Sequence, residues 1–383
     1  MTKALRVLHV ISGDLWAGAE VQAYTLMFHL SRMPDTEVAA LVMNEGTLAS
    51  KLRASGIIVY IASERDCGTL DIFMRLRRVI TTWEPHVIHS HREKENIFAV
   101  LASRSSRKIP VVRTLHGGVE HGGFFGWKAF RRSMVMRLNR WCVLAARQHV
   151  IAVSGALARQ VSDDFPGERI IVIENGVDAE AVLAQSSSAG FRVEQPQATH
   201  VGLAGRLVPV KRVDLFLETA ALLRVTKPDR RWQFHIFGDG PERANLEGLA
   251  RRFGIADVVQ FHGHSPDLAS AIRDLDALVI CSDHEGMPMI ALEAAALSVP
   301  TIGHSVGGLV DVVPREFLVT RHDAQGYSEA ILRVIQKDSR TIVEHYAAEV
   351  VRRLSAKRNA EQVRALYAQV IAQGMDDREF ECR

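Results

Sequence analysis

Two carboxylates, Glu285 and Glu293, stand eight positions apart, and that spacing limits the chemistry they can share. At about 1.5 Å of rise per residue they lie on the order of 12 Å apart if the segment is largely helical. Carboxylates that hydrolyse a glycosidic bond sit closer, roughly 5 to 9.5 Å. The pair is a poor hydrolytic couple and a good ruler for an extended ligand, one carboxylate at each end. Between them Gly286, Met287, Pro288 and Met289 lead into a helix, whose first N–H groups lack intrahelical partners and attract phosphate. A sugar nucleotide, with hydroxyl-rich ends and a phosphate middle, fits that arrangement. A buried helix whose glutamates merely cap or solvate it fits too, and this stretch alone leaves both readings open.

The segment 277–308 positions these groups. Residues 277–281 are an apolar run of a length suited to a buried parallel strand, followed by a polar turn, a helix over 289–297 and a short strand over 299–302. Pro288 falls where a first helical turn begins, and Gly307-Gly308 closes the segment as a flexible pair. A basic turn, 205–212, follows another strand. There Arg206 offers a planar fork of donors and Lys211 a compact charge, suited to a diphosphate at roughly 1.5–3 kcal/mol per charge-assisted contact. On its own such a turn is more often a solvated face, and it lacks the spacing of a P-loop. Gly238-Asp239-Gly240-Pro241 is a third strand-to-helix turn, without the full G-x-G-x-x-G spacing.

The chain of 383 residues is too long for one core and predicts two domains. Strand and helix alternate from residue 5 to about 173 and again from about 201 to 302, which means right-handed βαβ units and two doubly wound parallel sheets. The expected division is 1–185 and 195–357, with a linker rich in Ser, Gln and Ala over 184–199. The polar-faced C-terminal helix, 358–383, is expected to join the first domain. Ligands in such sheets bind at the carboxyl ends of strands, where 12–20 and His116-Gly117-Gly118 fall. A net charge of +3 does not point to nucleic acid. Four scattered cysteines suggest neither a disulfide framework nor a zinc knuckle and suit a reducing cytoplasm. No run approaches the roughly 18 apolar residues of a membrane-spanning helix, and the N-terminal apolar run suits a first strand better than a signal peptide.

Taken together, Gly18-Ala19-Glu20, Thr114-Leu115-His116-Gly117, Val153-Ser154, 174–178 (ENGVD), Gly205-Arg206-Leu207 with Lys211, Gly238-Asp239-Gly240-Pro241 and Glu285 to Glu293 with Gly307-Gly308 resemble the retaining glycosyltransferases of family 4, in the family's order and over nearly the whole chain. The resemblance implies the GT-B fold, an α/β architecture of two Rossmann-like doubly wound domains facing a central cleft. The first domain would bind acceptor and the second the nucleotide sugar. It implies that Glu285 and the backbone from Gly286 to Met289 hold the donor sugar and that Glu293 takes the ribose hydroxyls. Arg206 and Lys211 would neutralise the departing diphosphate in place of a metal ion. His116 would lie near the reacting centre, Gly18 would allow close approach of the first loop, and Gly263-His264 would lie near the base, with Gly238 also on the donor side. The implied co-substrate is a UDP- or GDP-sugar and the acceptor a glycan or lipid-linked molecule of cell-surface polysaccharide, glycolipid or lipopolysaccharide synthesis. No cofactor or essential metal is expected. Ala17, Arg212 and Ser298 depart from the family pattern where glycine is usual, which bears on loop geometry and donor choice.

Three further signals bear on function. Asp274-Leu275-Asp276 matches the D-x-D of metal-dependent glycosyltransferases but precedes a strand, where a solvated entrance is expected. His86, His89, His91, His116 and His121 lack a carboxylate or cysteine at ligand spacing, so no zinc centre is expected, and His89 and His91 are placed along a cleft or acceptor pocket. The helix over 124–147 carries Trp127, Phe130, Met134, Leu138, Trp141 and Ala145 as one apolar stripe, flanked by Lys128, Arg131, Arg132, Arg137, Arg140 and Arg147. That pattern suits an anionic membrane surface, and it suits a core-facing helix with a basic outer face equally. Two other enzyme classes, an epimerase or a phosphorylase, and a catalytically silent scaffold share the architecture.

Overall fold

The computed structural model describes residues 4–117, 127–146, 148–163, 165, 169–186, 192, 195–265, 267–335 and 339–381, with 127–132, 339–340 and 374–381 described in backbone only. Among the sequence expectations, Gly118, the loop over 119–126 with His121, the side chains of Trp127, Lys128, Phe130, Arg131 and Arg132, Arg147 and linker residues 187–191, 193 and 194 lie outside the described residues. The chain divides into two compact units, Met1–Gly176 with Ala356–Arg383, and Val177–Ser355.

The first unit alternates β1 (Leu5–Ile11), α1 (Gly18–Ser31), β2 (Thr36–Val42), α2 (Thr47–Ala54), β3 (Ile58–Ile61), α3 (Thr69–Trp83), β4 (Val87–Ser90), α4 (Glu93–Arg104), β5 (Val111–Leu115), α5 (Trp127–Ala145), β6 (His149–Ala152), α6 (Gly155–Gln160) and β7 (Ile170–Val172). Its parallel sheet runs β3-β2-β1-β4-β5-β6-β7, so the strand order reverses between β1 and β4. Side chains alternate between two cores, as period-2 strands buried on both faces require. Val7, Ile11, Val87 and Val112 meet Leu26, Met27 and Leu30 of α1 on one face. Leu8, Val10 and Ile88 meet Ile72, Leu76, Phe98 and Cys142 on the other.

The second unit contains α7 (Ala179–Gln185), β8 (Thr199–Ala204), α8 (Val213–Thr226), β9 (Trp232–Phe237), α9 (Arg243–Arg252), β10 (Val259–Gly263), α10 (Leu268–Arg273), β11 (Ala277–Ile280), α11 (Met289–Ala296), β12 (Thr301–His304), α12 (Leu309–Val312), β13 (Leu318–Val319), α13 (Ala324–Val334) and α14 (Ser339–Arg353). Its sheet, β10-β9-β8-β11-β12-β13, reverses between β8 and β11. The boundary falls at Gly176 rather than near residue 185 because α7 is anchored to the second unit. The carbonyl of Gln185 accepts from the Ser270 hydroxyl at 3.4 Å, and that of Ser186 accepts from the Arg273 guanidinium. The chain then returns to the first unit as α15 (Ala356–Glu381).

Three expectations are corrected, and one reading left open is decided. Strand β12 begins at Thr301, two residues late, because Ser298 turns at φ 55° and Pro300 has no N–H to give a ladder. Pro288 is the N-cap of α11, with extended backbone, and not its first helical residue. Helix α15 is more than a polar-faced cover: Ala360, Val363, Leu366, Tyr367 and Val370 are buried in the α1 core. In α5 the described part of the apolar stripe faces outward, with Met134 56%, Leu138 41% and Trp141 49% exposed, while Asn139, Cys142 and Val143 point inward.

Candidate active site

In the second unit the groups expected to hold a donor gather at the β8/β11 switch point, where open α/β sheets place their ligands. The chain leaves β8 through Gly205, Arg206 and a one-turn 3-10 segment, Pro209–Lys211. It leaves β11 into the turn that carries Glu285. A backbone bond from Asp283 N–H to the Val210 carbonyl, 3.0 Å, ties the two turns together. The consequence is a direct ion pair. Lys211 Nζ lies 2.6 Å from Glu285 Oε1, with the glutamate side chain only 9% exposed. The two residues that the resemblance sends to different parts of a ligand therefore hold each other here. Arg206 is exposed beside them.

A second layer of charge lies under this pair, and sequence reasoning missed it. Arg212 bonds Asp214 through Nε at 3.1 Å and reaches Asp283 at 3.4 Å. Asp283 also meets His322 Nε2 at 3.1 Å, and His322 stacks on His304 with ring centres 3.9 Å apart. Arg212 itself sits at φ 47°, in the left-handed region that favours glycine. The departure from the family's glycine thus keeps the backbone shape, and its side chain adds the anchor on Asp283. Ala17 is different. As N-cap of α1 it has φ −136°, extended backbone that any residue adopts.

Glycines shape the donor side by close approach. A side chain at Gly307 would put its Cβ 1.7 Å from the Glu285 carbonyl oxygen, and Gly308 N–H donates to Gly286 O at 2.6 Å. The pair expected to be flexible is instead the seat of the Glu285 turn. Gly238 is packed likewise: a Cβ there would lie 2.0 Å from Gly205 O, and its N–H donates to Gly263 O at 2.7 Å. His264, next along, is exposed.

Glu293 projects from the second turn of α11, where the described structure gives its carboxylate neither a cation nor a hydrogen bond. Burial pushes it up to about 7. Gly286 to Met289 are buried at the start of α11, whose first N–H groups precede any i−4 carbonyl.

The first unit brings its polar residues to the β1/β4 switch point on one sheet face. His9 pairs in register with His89, and His91 and His116 follow two residues after His89 and Thr114, hence on the same face. His9 Nδ1 lies 3.0 Å from His91 Nε2, and His91 Nδ1 lies 3.1 Å from His116 Nε2. His89 is held separately, by the Tyr367 hydroxyl at 2.5 Å and the Thr114 hydroxyl at 2.7 Å. Burial drives His9, His89 and His91 well below the ordinary histidine range and takes His116 down to about 3, with Arg92 and Arg113 adding to the last. All four rings are neutral at pH 7. Gly18 opens α1 with no atom within 4 Å of where a Cβ would stand. Beside it the fully buried Glu20 carboxylate accepts from Arg92. His9 escaped sequence reasoning, although its register against His89 was readable from strand alternation.

The remaining signals resolve into structure. Asp274 and Asp276 clamp Arg192: Asp274 Oδ2 accepts from the Arg192 N–H at 2.9 Å and Asp276 Oδ1 from its guanidinium at 2.8 Å. Asp276 Oδ2 also accepts from His200 N–H at 2.7 Å, so the D-x-D pattern is an anchor within the second unit. Among the described residues, one group of three could share a metal ion: His9, His89 and His91, with one nitrogen from each within 4.8 Å of the others.

Comparison with known proteins agrees with this geometry. The family model described as "Glycosyltransferase Family 4" matches residues 16–181, and that described as "Glycosyl transferases group 1" matches 198–337. The D-inositol 3-phosphate glycosyltransferase of Saccharomonospora viridis is 30% identical over 224 residues, 55% of this chain and 52% of that protein. Its counterpart from Thermobispora bispora is 27% identical over 291 residues, 72% and 68% of the two chains. The alignment thus spans about half of the first relative's length. Among solved structures, Anabaena HepE in complex with UDP and glucose superposes with a TM-score of 0.81 at 19% identity, over 95% of this chain and 100% of that one. At that identity the likeness shows the fold, and the expected pair of Rossmann-like parallel-sheet domains is the one observed.

Proposed function

This chain belongs to the glycosyltransferases of family 4, and from that premise we propose that it moves a sugar from a nucleoside diphosphate sugar to a glycan or lipid-linked acceptor, with retention and without a metal ion. The observation that carries the reading is the Lys211–Glu285 pair at the β8/β11 switch, with Arg206 exposed beside it and Glu293 one helix away. A diphosphate arriving there exchanges one anionic partner of Lys211 for another and recruits Arg206. Negative charge developing on the leaving group is then met by preorganised cations. Glu285, released from the lysine, accepts from the donor sugar's hydroxyls, and Glu293 accepts from the ribose.

Retention is what the family resemblance implies, and the carboxylates are compatible with it. In this reading Glu285 is occupied by the donor sugar's hydroxyls and Glu293, pushed up to about 7 by burial, by the ribose, so neither is assigned as a nucleophile. The acceptor oxygen attacks from the side the diphosphate leaves. The bond from the anomeric carbon to phosphate breaks as the new glycosidic bond forms, and the phosphate takes the acceptor's proton. His116 contributes at the reacting centre, and Gly18 leaves room for a ligand. The UDP-sugars of the Anabaena relative's complexes make UDP-glucose the first donor to test, with GDP- and ADP-sugars beside it.

Membrane-proximal acceptors are favoured by α5. Met134, Leu138, Trp141 and Leu144 are exposed on a helix with Arg137 and Arg140, an amphipathic surface suited to an anionic leaflet. Among the described residues no helix is long and apolar enough to cross a membrane. The reading is thus of an enzyme working at the inner face of the cytoplasmic membrane.

The test is turnover of a UDP-, GDP- and ADP-sugar panel with and without acceptors, in the wild-type protein and in Lys211→Ala and Arg206→Ala. A fall of about 10²–10³ in kcat for Lys211→Ala is expected from the loss of one such stabilising group. Wild-type turnover in both variants refutes the assignment. Conversion of UDP-GlcNAc without acceptor would identify an epimerase, and nucleotide binding without turnover a scaffold.

A further inference from the structure

The three histidines His9, His91 and His116 form one hydrogen-bonded line whose inner end is closed off. Each ring is neutral, so each has one N–H and one bare nitrogen. At the inner end His9 is fully buried, and its Nε2 has no hydrogen-bond partner among the described residues. At the outer end His116 is half-buried, its Nε2 spent on His91 and its Nδ1 left over.

Only two proton arrangements satisfy both ring-to-ring bonds. In one, His116 Nε2–H donates to His91 Nδ1 and His91 Nε2–H donates to His9 Nδ1, which forces the His9 proton onto Nε2 as a buried donor with nothing to meet. In the other, His9 Nδ1–H donates to His91 Nε2, and His91 Nδ1–H donates to His116 Nε2. His116 then carries its own proton on Nδ1. The second arrangement leaves a bare acceptor inside instead of an orphaned N–H, and orphaned buried N–H groups are the rarer kind. The line therefore has a direction.

We propose that His9 and His91 are positioning residues that lock His116 as the Nδ1–H tautomer, so that it meets its ligand as a hydrogen-bond donor and not as a base. This rests on the reading above that His116 faces the donor sugar, whose oxygens would accept that bond. His89 stands outside the line because hydroxyls take both of its nitrogens. The same occupancy argues against a metal shared by His9, His89 and His91. Along His9 and His91 the close nitrogens face each other in pairs at 3.0 Å, as a shared proton requires.

Tautomers are read directly by long-range proton–nitrogen correlation spectra of ligand-free protein labelled with 15N-histidine. The expected pattern is a protonated Nδ1 and bare Nε2 on His9, His91 and His116. In His91→Phe the bond that keeps His116 Nε2 bare is gone and His116 shifts toward the Nε2–H form, with kcat about tenfold lower, the equivalent of one hydrogen bond. His91→Asn, whose amide nitrogen can stand where Nδ1 stood and donate to His116 Nε2, restores both the wild-type tautomer and turnover. A wild-type His116 protonated on Nε2, or a His116 tautomer unchanged by His91→Phe, overturns the proposal. So does stoichiometric zinc released with loss of the His9 and His89 signals. The wild-type measurement needs no variant to fold. Addition of UDP-glucose separates the two readings: a shift of the His116 Nδ1 resonance supports its contact with donor. An unmoved resonance over an intact tautomer pattern overturns that contact and upholds the line.

Discussion

Replacing Glu293 with glutamine separates stability from ligand binding, because the structure gives this carboxyl a cost in one and a use in the other. Burial raises Glu293 from an ordinary 4.5 to about 7, with no cation among the described residues to offset it. The sign follows from linkage: between those values the folded protein binds a proton that the unfolded chain has lost, so stability falls as pH rises from about 4.5 to 7. A shift of that size corresponds to about 3 kcal/mol at full ionisation, and the side chain's remaining solvent contact brings this to roughly 1–3 kcal/mol. Glu293→Gln keeps the shape and removes the charge. At pH 8.5 it is expected to be more stable than the wild type by that amount, and at pH 4 to be equal to it.

The assay is urea unfolding followed by 19F-labelled tryptophan. Trp232 is the one tryptophan in the second unit; the other four lie in the first, so its resonance reports the unit that carries Glu293. Donor affinity moves the other way. If the ionised carboxylate binds the ribose hydroxyls, wild-type affinity for UDP-sugar weakens about tenfold from pH 8.5 to 6, as protonation competes with ligand. In Glu293→Gln the profile is flat and the affinity at pH 8.5 is about 10–150-fold weaker, the range for one to two charge-assisted bonds. Equal urea midpoints at pH 8.5 would refute the desolvation argument. A pH profile surviving in Glu293→Gln would remove the residue from the donor site.

Three other perturbations follow from the same structure. Breaking the Lys211–Glu285 pair with Lys211→Met leaves a nearly buried carboxylate alone, so the second unit should lose about 1–3 kcal/mol in the same assay, and Glu285→Gln in that background should recover most of it. Ser298 stands exposed at φ 55°, so Ser298→Gly should raise stability by about 0.5–1 kcal/mol without changing turnover, seen as a small rise in Tm. Arg137→Glu with Arg140→Glu should lower partitioning onto phosphatidylserine vesicles at least tenfold at equal fold stability, each cation near an anionic surface being worth about 1 kcal/mol. Equal cosedimentation of the variant and wild type would exclude α5 as the contact.

What was legible in the sequence was whatever depends on local pattern. The apolar runs of β1, β4, β8 and β11 gave both sheets, and strand alternation alone puts His89 and His91 on one face. The glycine-like turns at Arg212 and Ser298 were visible only as departures from a family pattern, yet both residues hold the left-handed backbone that glycine would have taken. The Lys211–Glu285 bond was not legible. It joins turns 74 residues apart, and each residue had a plausible separate task. Its cause is the Asp283–Val210 backbone bond, which no spacing rule contains.

Helix α5 shows the same limit from the other side. Its hydrophobic period is genuine, but the face it marks is not the one turned inward. Asn139 is buried because Asn96 Nδ2 donates to its Oδ1 at 2.9 Å, while Gln148 Nε2 and the Ser90 hydroxyl both donate to Asn96 Oδ1, at 2.6 and 2.9 Å. A polar network therefore fixes the inner face, with Cys142 and Val143 beside it, and turns Met134, Leu138 and Trp141 outward. Periodicity reports which residues share a face. Which face a sheet accepts is decided by the partners waiting on it, here an asparagine, a glutamine and a serine from β4, α4 and the approach to β6. An apolar stripe left outside by such a network is chemically available, and beside Arg137 and Arg140 the surface it suits is an anionic one.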